Sequence, residues 1–297
     1  MKKLFSTILV LGLLWSNFGF AIDLKIPKSD DEWLQAYNSL HWKDGPINLN
    51  FPQANSTVEV GSNYQALEDE EANQWLYWQN GVEFPNTKIY VVNLDHSYTY
   101  TFRYYDSGYV KTDDWTKVDP DEFIKQIRKN YKAANSERKK NNQLTILSVD
   151  WLYKPYLDKN YDTVYYALKV KWSDNSYTIQ GTAILLGKEG YTEADYVVAH
   201  DKYQESKLIN LSKMHRFNNT KEYKDWKSGD KVAAAGIGAL LAATLGVKAL
   251  KPGIIAAALL LLKKFWFIIF LPLIWIGKLF TRSSKNKINC LAHHKTC

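Results

Sequence analysis

The feature that most limits the fold of this chain is the uneven distribution of charge along it. Residues 231–297 contain ten lysine and arginine residues and no aspartate or glutamate. The same part of the chain holds an Ala/Gly-rich segment and a longer Leu/Ile/Phe-rich segment, both typical of membrane helices with basic flanks in the cytoplasm. We therefore predict a membrane-associated helix over 231–250, a transmembrane helix over 254–277 and a basic tail over 278–297.

Two adjacent lysines, Lys263 and Lys264, lie near the middle of the predicted transmembrane helix. The segment has 24 residues, 15 of them Leu, Ile or Phe. These residues favour insertion by roughly 4 to 9 kcal/mol, and the two lysines oppose it by roughly 5 to 7 kcal/mol. Two arrangements remain open: a single crossing with the lysines facing a partner helix, or a helical hairpin with the lysines at a membrane surface. The basic tail favours the single crossing, because positive flanks stay in the cytoplasm.

The other end of the chain has the pattern of a secretory signal peptide. A positive start is followed by an apolar run over 4–15 and by the small-x-small site Gly19-Phe20-Ala21. We predict a signal peptide over 1–21 and an exported domain over 22–230. An uncleaved anchor helix is the alternative, although the apolar run is shorter than the roughly 20 residues that cross a bilayer.

The predicted exported domain is acidic, with 26 Lys and Arg residues against 31 Asp and Glu residues in 22–230. Nucleic-acid binding requires a basic surface, so we predict no nucleic-acid partner. Both cysteines, Cys290 and Cys297, lie in the basic tail, so the domain must be stable through core burial without disulfides. The sequence "CLAHHKTC" also holds His293 and His294; we interpret it as a solvated end or, alternatively, as a zinc site with unusual spacing.

The pattern of apolar and polar residues predicts an α+β fold: a mixed exported domain with an antiparallel sheet and several helices, followed by the C-terminal membrane helices. Asp119 and Pro120 mark the clearest helix start. Helices are predicted at 30–37, 65–78, from 120 into the stretch 135–141, and at 204–216. Strands are predicted at 88–94, 97–105, 143–152, 163–172, 176–186 and 196–199.

No catalytic motif is found in the predicted exported domain: it has no HExxH, no GxSxG and no Gly-rich phosphate loop. We predict no cofactor. Three carboxylates near Gly108, those of Asp106, Asp113 and Asp114, could share protons or hold a cation. They are the basis of an alternative function as an envelope hydrolase or transferase. The other interpretation is that they solvate a loop and cap the next helix.

The stretch 103–140, "RYYDSGYVKTDDWTKVDPDEFIKQIRKNYKAANSERKK", resembles a family of uncharacterised bacterial membrane-anchored proteins, the domain of unknown function 2167. The resemblance continues through "LLGKEG" and "EYKDWKSGDKVAAAGIGALLA". The chain departs from the family pattern in a turn that here reads Lys154-Pro155-Tyr156, and again at Lys188. The positions that match the family pattern, and that we take as candidate binding residues, are Tyr105, Asp106, Gly108, Tyr109, Asn135, Arg138 and Trp151.

This resemblance implies an exported domain with a C-terminal anchor rich in Ala, Gly and Lys, and it implies no activity. The sequence therefore predicts a membrane-anchored cell-envelope protein that acts as a binding or interaction module. Its bulk would lie on the periplasmic or extracellular side of the membrane, and its tail in the cytoplasm. The predicted partners are the lipid bilayer and another membrane helix or envelope protein.

Overall fold

The computed structural model describes residue 23 and residues 25–81, 83–84, 86–140 and 143–247. The predicted signal peptide, the predicted transmembrane helix with Lys263 and Lys264, and the basic tail lie outside these residues. Among the residues that the structure describes, no helix combines the length and apolar character needed to cross a membrane. The α+β class with a large antiparallel sheet is confirmed for the described part of the chain.

Eleven strands are found in the described residues. They are β1 (Lys43–Asp44), β2 (Ile47–Phe51), β3 (Ser56–Val60), β4 (Tyr64–Glu68), β5 (Thr87–Asn93), β6 (Tyr98–Tyr105), β7 (Ile146–Asp158), β8 (Thr163–Trp172), β9 (Tyr177–Leu186), β10 (Tyr191–Ala199) and β11 (His215–Phe217). Eight form one antiparallel sheet in the order β1-β4-β5-β6-β10-β9-β8-β7, and β11-β3-β2 form a second sheet.

Five α-helices accompany these strands in the described part of the chain. They are α1 (Asp30–Asn38), α2 (Asp69–Asn80), α3 (Pro120–Lys140), α4 (Glu205–Met214) and α5 (Ile237–Thr244). The predicted start of α3 is confirmed, because Asp119 Oδ1 accepts hydrogen bonds from the backbone N–H groups of Asp121 and Glu122 at 3.1 and 3.0 Å. Helix α2 ends at Asn80 and is capped by Gly81, whose φ of 70° is readily adopted by glycine.

The core lies on both faces of the large sheet because residues alternate along each strand. In β8, Tyr166, Leu168 and Val170 pack beneath α3 and α5. Tyr165 and Ala167 point to the opposite face, towards α4 and the small sheet. Helices α1 and α2 form a third cluster at the β4–β5 end. Both faces of the central strands are therefore covered.

The predicted helix over 65–78 is correct only in its second part. Gln65 to Glu68 belong to β4, which pairs with β5, and the helix begins at Asp69. The run of acids from Glu68 to Glu71 is a typical helix start, and it does mark one. The residues before it were misassigned because their strand pairing involves a segment that is distant in the sequence.

The segment 231–247, which was predicted to belong to a membrane-associated helix, packs into the domain core. Helix α5 buries Ile237, Leu240 and Leu241 in the same cluster as Phe123 and Ile127 of α3. The packed domain therefore continues beyond the predicted boundary at residue 230. An Ala/Gly-rich apolar sequence suits close packing against a sheet as well as packing in a bilayer.

Candidate functional site: a buried charge cluster beneath helices α3 and α5

Three neighbouring strands bring polar side chains together on the sheet face that α3 covers. Arg103 of β6 lies directly opposite Glu193 of β10. In the next row, Thr101 lies opposite Asp195, which lies opposite Thr182 of β9. Residues opposite one another in antiparallel strands have neighbouring side chains on the same face. The strand register therefore places Arg103 beside two carboxylates.

These three charged side chains form a connected cluster in the protein interior. Arg103 Nη2 donates to Glu193 Oε1 at 2.8 Å and also to Asp195 Oδ2. Thr182 Oγ1 donates to Asp195 Oδ1 at 2.8 Å. The side chain of Arg103 is 2% exposed, that of Glu193 is 8% exposed and that of Asp195 is 15% exposed. Asp195 is thus the member of the cluster nearest to solvent.

Burial and charge pairing act in opposite directions on this cluster. Burial raises the pKa of Glu193 above its ordinary value, although Arg103 favours the ionised carboxylate. Burial opposes the charge of Arg103, but Asp195 and Glu193 outweigh it and hold the pKa of the guanidinium well above its usual range. Burial also raises the pKa of Tyr105, and the negative charge of Glu193 adds to that effect.

A cavity of about 60 Å³ lies between the charge cluster and the two helices. Its polar lining includes Arg103, Glu193, Asp195, Gln180, Thr182 and Thr244, and its other walls are Ile127, Tyr131, Tyr166, Leu168, Val197 and Leu245. Pockets that enclose drug-sized ligands measure roughly 300–1,000 Å³. The cavity is therefore suited to an ion, a few waters or one small chemical group, and it cannot enclose a nucleotide cofactor.

The charges of the cavity restrict what it can bind. One guanidinium and two carboxylates leave an excess of one negative charge when both acids are ionised. An anion would therefore be repelled. Within the described residues, no group of three or more His, Cys, Asp or Glu side chains has an arrangement that could hold a metal ion. The arrangement fits a small cation or a neutral polar group best.

The family-motif residues after β6 lie against the segment 231–247. Asp106 Oδ1 is 2.8 Å from Lys231 Nζ. Tyr109 N donates to Lys231 O, and Ala233 N donates to Tyr109 O, both at 2.9 Å. Gly108 has a φ of 86°, and a Cβ there would lie 2.9 Å from Lys231 Cγ. These residues join the loop after β6 to the chain that leads into α5.

The ring of Tyr109 strengthens this junction. It stacks on the ring of Tyr223 at a centroid distance of 4.4 Å and on that of Trp226 at 4.9 Å. Tyr223 donates a hydrogen bond through its hydroxyl to Val110 O at 2.6 Å. Tyr105, by contrast, stacks on Tyr191 at 4.8 Å and lies next to the charge cluster.

The three aspartates on which the alternative enzyme function was based, Asp106, Asp113 and Asp114, have different surroundings. Asp106 pairs with Lys231, and Asp113 is exposed. Asp114 accepts from Gly238 N at the start of α5, with both carboxylate oxygens at 3.2 Å. Asp106 and Asp114 therefore hold the segment 231–247 in place.

The remaining motif residues hold α3 on the sheet. Asn135 donates to Ile146 O and accepts from Ile146 N, both at 2.8 Å. Trp151 Nε1 donates to Pro120 O at 2.8 Å. Arg138 Nε donates to Leu144 O, and its guanidinium lies 4.9 Å from the ring centroid of Trp172. The motif residues thus support both of the helices, α3 and α5, that line the cavity.

Sequence reasoning did not identify Arg103, Glu193 or Asp195. The signal was present in "YTEADYVV" (191–198), where two acids alternate with apolar residues in a β-rich stretch. Such acids on a strand are usually solvent-exposed, and the strand was predicted to begin only at Tyr196. The pairing of β10 with β6, on which the cluster depends, joins segments about 90 residues apart.

The comparisons with known proteins agree with the resemblance found in the sequence. The chain belongs to the family described as "Protein of unknown function (DUF2167)", whose family model matches residues 43–274. None of the curated proteins matches the chain.

The chain has weak structural similarity to two solved structures. One is the solution structure of cyanobacterial PsbP (CyanoP) from Synechocystis sp. PCC 6803, with 10% identity, a TM-score of 0.34, and coverage of 57% of this chain and 91% of that one. The other is a crystal structure from Bacteroides thetaiotaomicron VPI-5482, with 11% identity, a TM-score of 0.32, and coverage of 67% and 57%. Neither similarity bears on function.

Proposed function

We propose that this protein is a membrane-anchored binding module of the cell envelope, with its folded domain outside the cytoplasmic membrane. The observation that carries the binding role is the cavity lined by the buried Arg103, Glu193 and Asp195 cluster. Buried charges are costly and are found mainly where they are paired or serve a site. A cavity beside them gives a ligand direct access to these charges.

The connection between the domain and the proposed anchor is short. Val247 is 2% exposed and packs in the core with α3, and the proposed transmembrane helix begins at residue 254. The intervening residues, 248–253, can bridge at most about 25 Å. This supports a domain held close to the membrane surface, with α5 joining the cavity wall to the anchor.

Asp23, the second residue after the proposed cleavage at Ala21, contacts the folded domain. Gln74, which is 1% exposed, accepts from Asp23 N and donates to Asp23 O at 3.0 Å. Trp78 Nε1 also donates to Asp23 O at 3.1 Å. The chain therefore joins the folded domain two residues after the proposed cleavage site, as expected if processing leaves a mature end that docks on α2.

Within the membrane, we propose that Lys263 and Lys264 face another membrane helix or an envelope protein. Lysines in the middle of a bilayer are costly unless a partner or water accommodates them. Crosslinking in native membranes should then capture a complex. Recovery of the monomer alone, with a crosslinker that reaches the lysines, would contradict this part of the proposal.

The proposed location can be tested by thiol labelling of intact spheroplasts. In a Cys297→Ser background, native Cys290 is the one cysteine and should react with a membrane-impermeant maleimide only after permeabilisation. With Cys290 also replaced by serine, single cysteines at the exposed positions Ser62 and Ser176 should react in intact spheroplasts. Permeabilised cells are the control for the reactivity of Cys290. Labelling of Cys290 in intact cells would replace the single crossing by a hairpin, and protection of both introduced cysteines would contradict export.

A further inference from the structure

We propose that the cavity beneath α3 and α5 binds a primary ammonium group carried on a short aliphatic chain. The inference rests on the binding role proposed above and specifies its ligand class. It is independent of which side of the membrane the domain occupies.

The charge of the cavity selects for a cation. Glu193 and Asp195 share a single guanidinium, that of Arg103, and no other charged side chain lines the cavity among the described residues. When both carboxylates are ionised, the cluster has one uncompensated negative charge, which is unfavourable in the interior, so it gains from one added positive charge. An ammonium group supplies that charge with N–H donors that suit carboxylate oxygens.

The walls of the cavity select for an aliphatic chain behind the charge. Ile127, Leu168, Val197 and Leu245 are apolar, and the rings of Tyr131 and Tyr166 complete the lining. Methylene groups gain free energy when they leave water for such surroundings, and aromatic rings attract cations. A strongly hydrated inorganic cation would gain nothing from these walls.

The position of Asp195 gives the ligand an approach to the charges. Its side chain is 15% exposed, whereas that of Arg103 is 2% exposed, so the cluster meets solvent on the Asp195 side. The volume of about 60 Å³ is sufficient for an ammonium group with a few carbon atoms. An ammonium group entering here meets Asp195 before it meets Arg103.

One N–H of the cluster has no protein partner among the described residues and requires a hydrogen-bond acceptor. Arg103 Nε is buried and has no hydrogen-bond partner among the described residues. Buried donors are nearly always paired with protein or ordered water. An ammonium group has no acceptor, so an ordered water beside the cluster, and not the ammonium, would complete the bonding of this guanidinium.

Binding can be measured by calorimetry on the full-length protein in detergent, with ethylammonium chloride as the probe. We expect saturable binding that exceeds the response to potassium chloride, ethanol and glycine at equal concentration. Asp195→Asn should weaken ethylammonium binding by roughly tenfold or more, as expected for loss of a charged hydrogen-bond partner. Asp121→Asn is the matched control, because Asp121 is an exposed carboxylate paired with Lys154, and it should bind as the wild type does.

A second variant keeps the test valid if Asp195→Asn does not fold. Val197→Leu adds one methylene group to the cavity wall and keeps every charge, so it should weaken binding of butylammonium more than that of methylammonium. Equal weakening of both amines would contradict binding inside the cavity.

Comparison of ethylammonium with the side chain of N-acetyl-lysine amide distinguishes a free amine from the end of a peptide side chain. Binding of either supports the ligand class. The proposal is overturned if neither amine binds, if potassium or glycine binds as well as ethylammonium, or if Asp195→Asn folds and binds as the wild type does. Because the protein is in detergent, these outcomes do not depend on the thiol-labelling result.

Discussion

Asp106 and Lys231 form an ion pair, with 2.8 Å between Oδ1 and Nζ, that joins the loop after β6 to the start of segment 231–247. The side chains are 71% and 58% exposed, so the pair contributes at most about 1 kcal/mol. The backbone bonds between Tyr109 and its neighbours Lys231 and Ala233 lie beside it. The junction therefore depends on close backbone approach more than on charge.

We predict that Gly108→Ala destabilises the domain more than Gly229→Ala does. Both glycines have a positive φ, 86° and 99°, but only Gly108 has atoms near the position of an added Cβ. Gly229→Ala should cost about 1 kcal/mol for the backbone conformation, and Gly108→Ala should cost about 1–3 kcal/mol more for the displaced contacts. Urea unfolding followed by circular dichroism measures both values. Equal losses of stability in the two variants would show that the contacts near Lys231 can shift to admit the added Cβ at no cost in free energy.

We predict that Leu241→Ala lowers the free energy of unfolding by about 2–5 kcal/mol, because a fully buried leucine leaves a cavity when it is truncated. Leu241 is 0% exposed, whereas Leu34 is 59% exposed. Leu34→Ala is therefore the control and should change stability by less than about 0.5 kcal/mol. Thermal and urea unfolding of the full chain in detergent report both effects. If the two variants match, α5 makes no contribution to the core.

Glu193 should make stability fall as the pH rises from about 4.5. Burial raises its pKa in the folded state above the ordinary value of 4.5, so the folded protein keeps a proton that the unfolded chain releases. Stability is lost as the pH rises from the unfolded pKa towards the folded one. In Glu193→Gln this loss is absent, so the stability of the variant relative to the wild type should increase between pH 4.5 and neutrality. Urea midpoints across that range test the direction, and a constant difference would refute it.

His215 should make stability fall as the pH drops, which is opposite to the effect of Glu193. Burial lowers its pKa from 6.5 to about 3, so the unfolded chain binds a proton that the folded protein rejects. Stability therefore falls as the pH drops from 6.5 towards 3. In His215→Gln this loss is absent, so the stability of the variant relative to the wild type should increase as the pH falls. Nuclear magnetic resonance of the His215 ring should show no protonation at pH 5 in the folded protein, and titration there would contradict the prediction.

The local signals of the sequence were sufficient for most elements of the fold. The Asp119 cap, the Asp95–His96 turn between β5 and β6, and the β8–β9 hairpin all depend on a few neighbouring residues. These elements were predicted correctly. The strand at Gln65 was missed because its assignment depends on pairing with β5.

The placement of segment 231–247 in the core and the formation of the charge cluster could not be predicted from the sequence, for two different reasons. An apolar Ala/Gly-rich segment has the same composition in a core and in a bilayer. Here its helix ends at Thr244, ahead of Gly246 with its φ of 64°. The cluster depends on the register that places Arg103 opposite Glu193, and strand register over such a distance is not encoded in local spacing.

Helix α3 covers part of the edge strand β7 and so limits strand pairing between copies of this protein. Asn135 occupies the backbone N–H and C=O groups of Ile146, and Arg128 binds Val149 O at 3.1 Å. Farther along the strand, Pro155 has no N–H to offer. Edges that lack free hydrogen-bonding groups do not recruit neighbouring strands. At Ile146, Val149 and Pro155, β7 therefore cannot extend its sheet into a neighbouring copy of the domain.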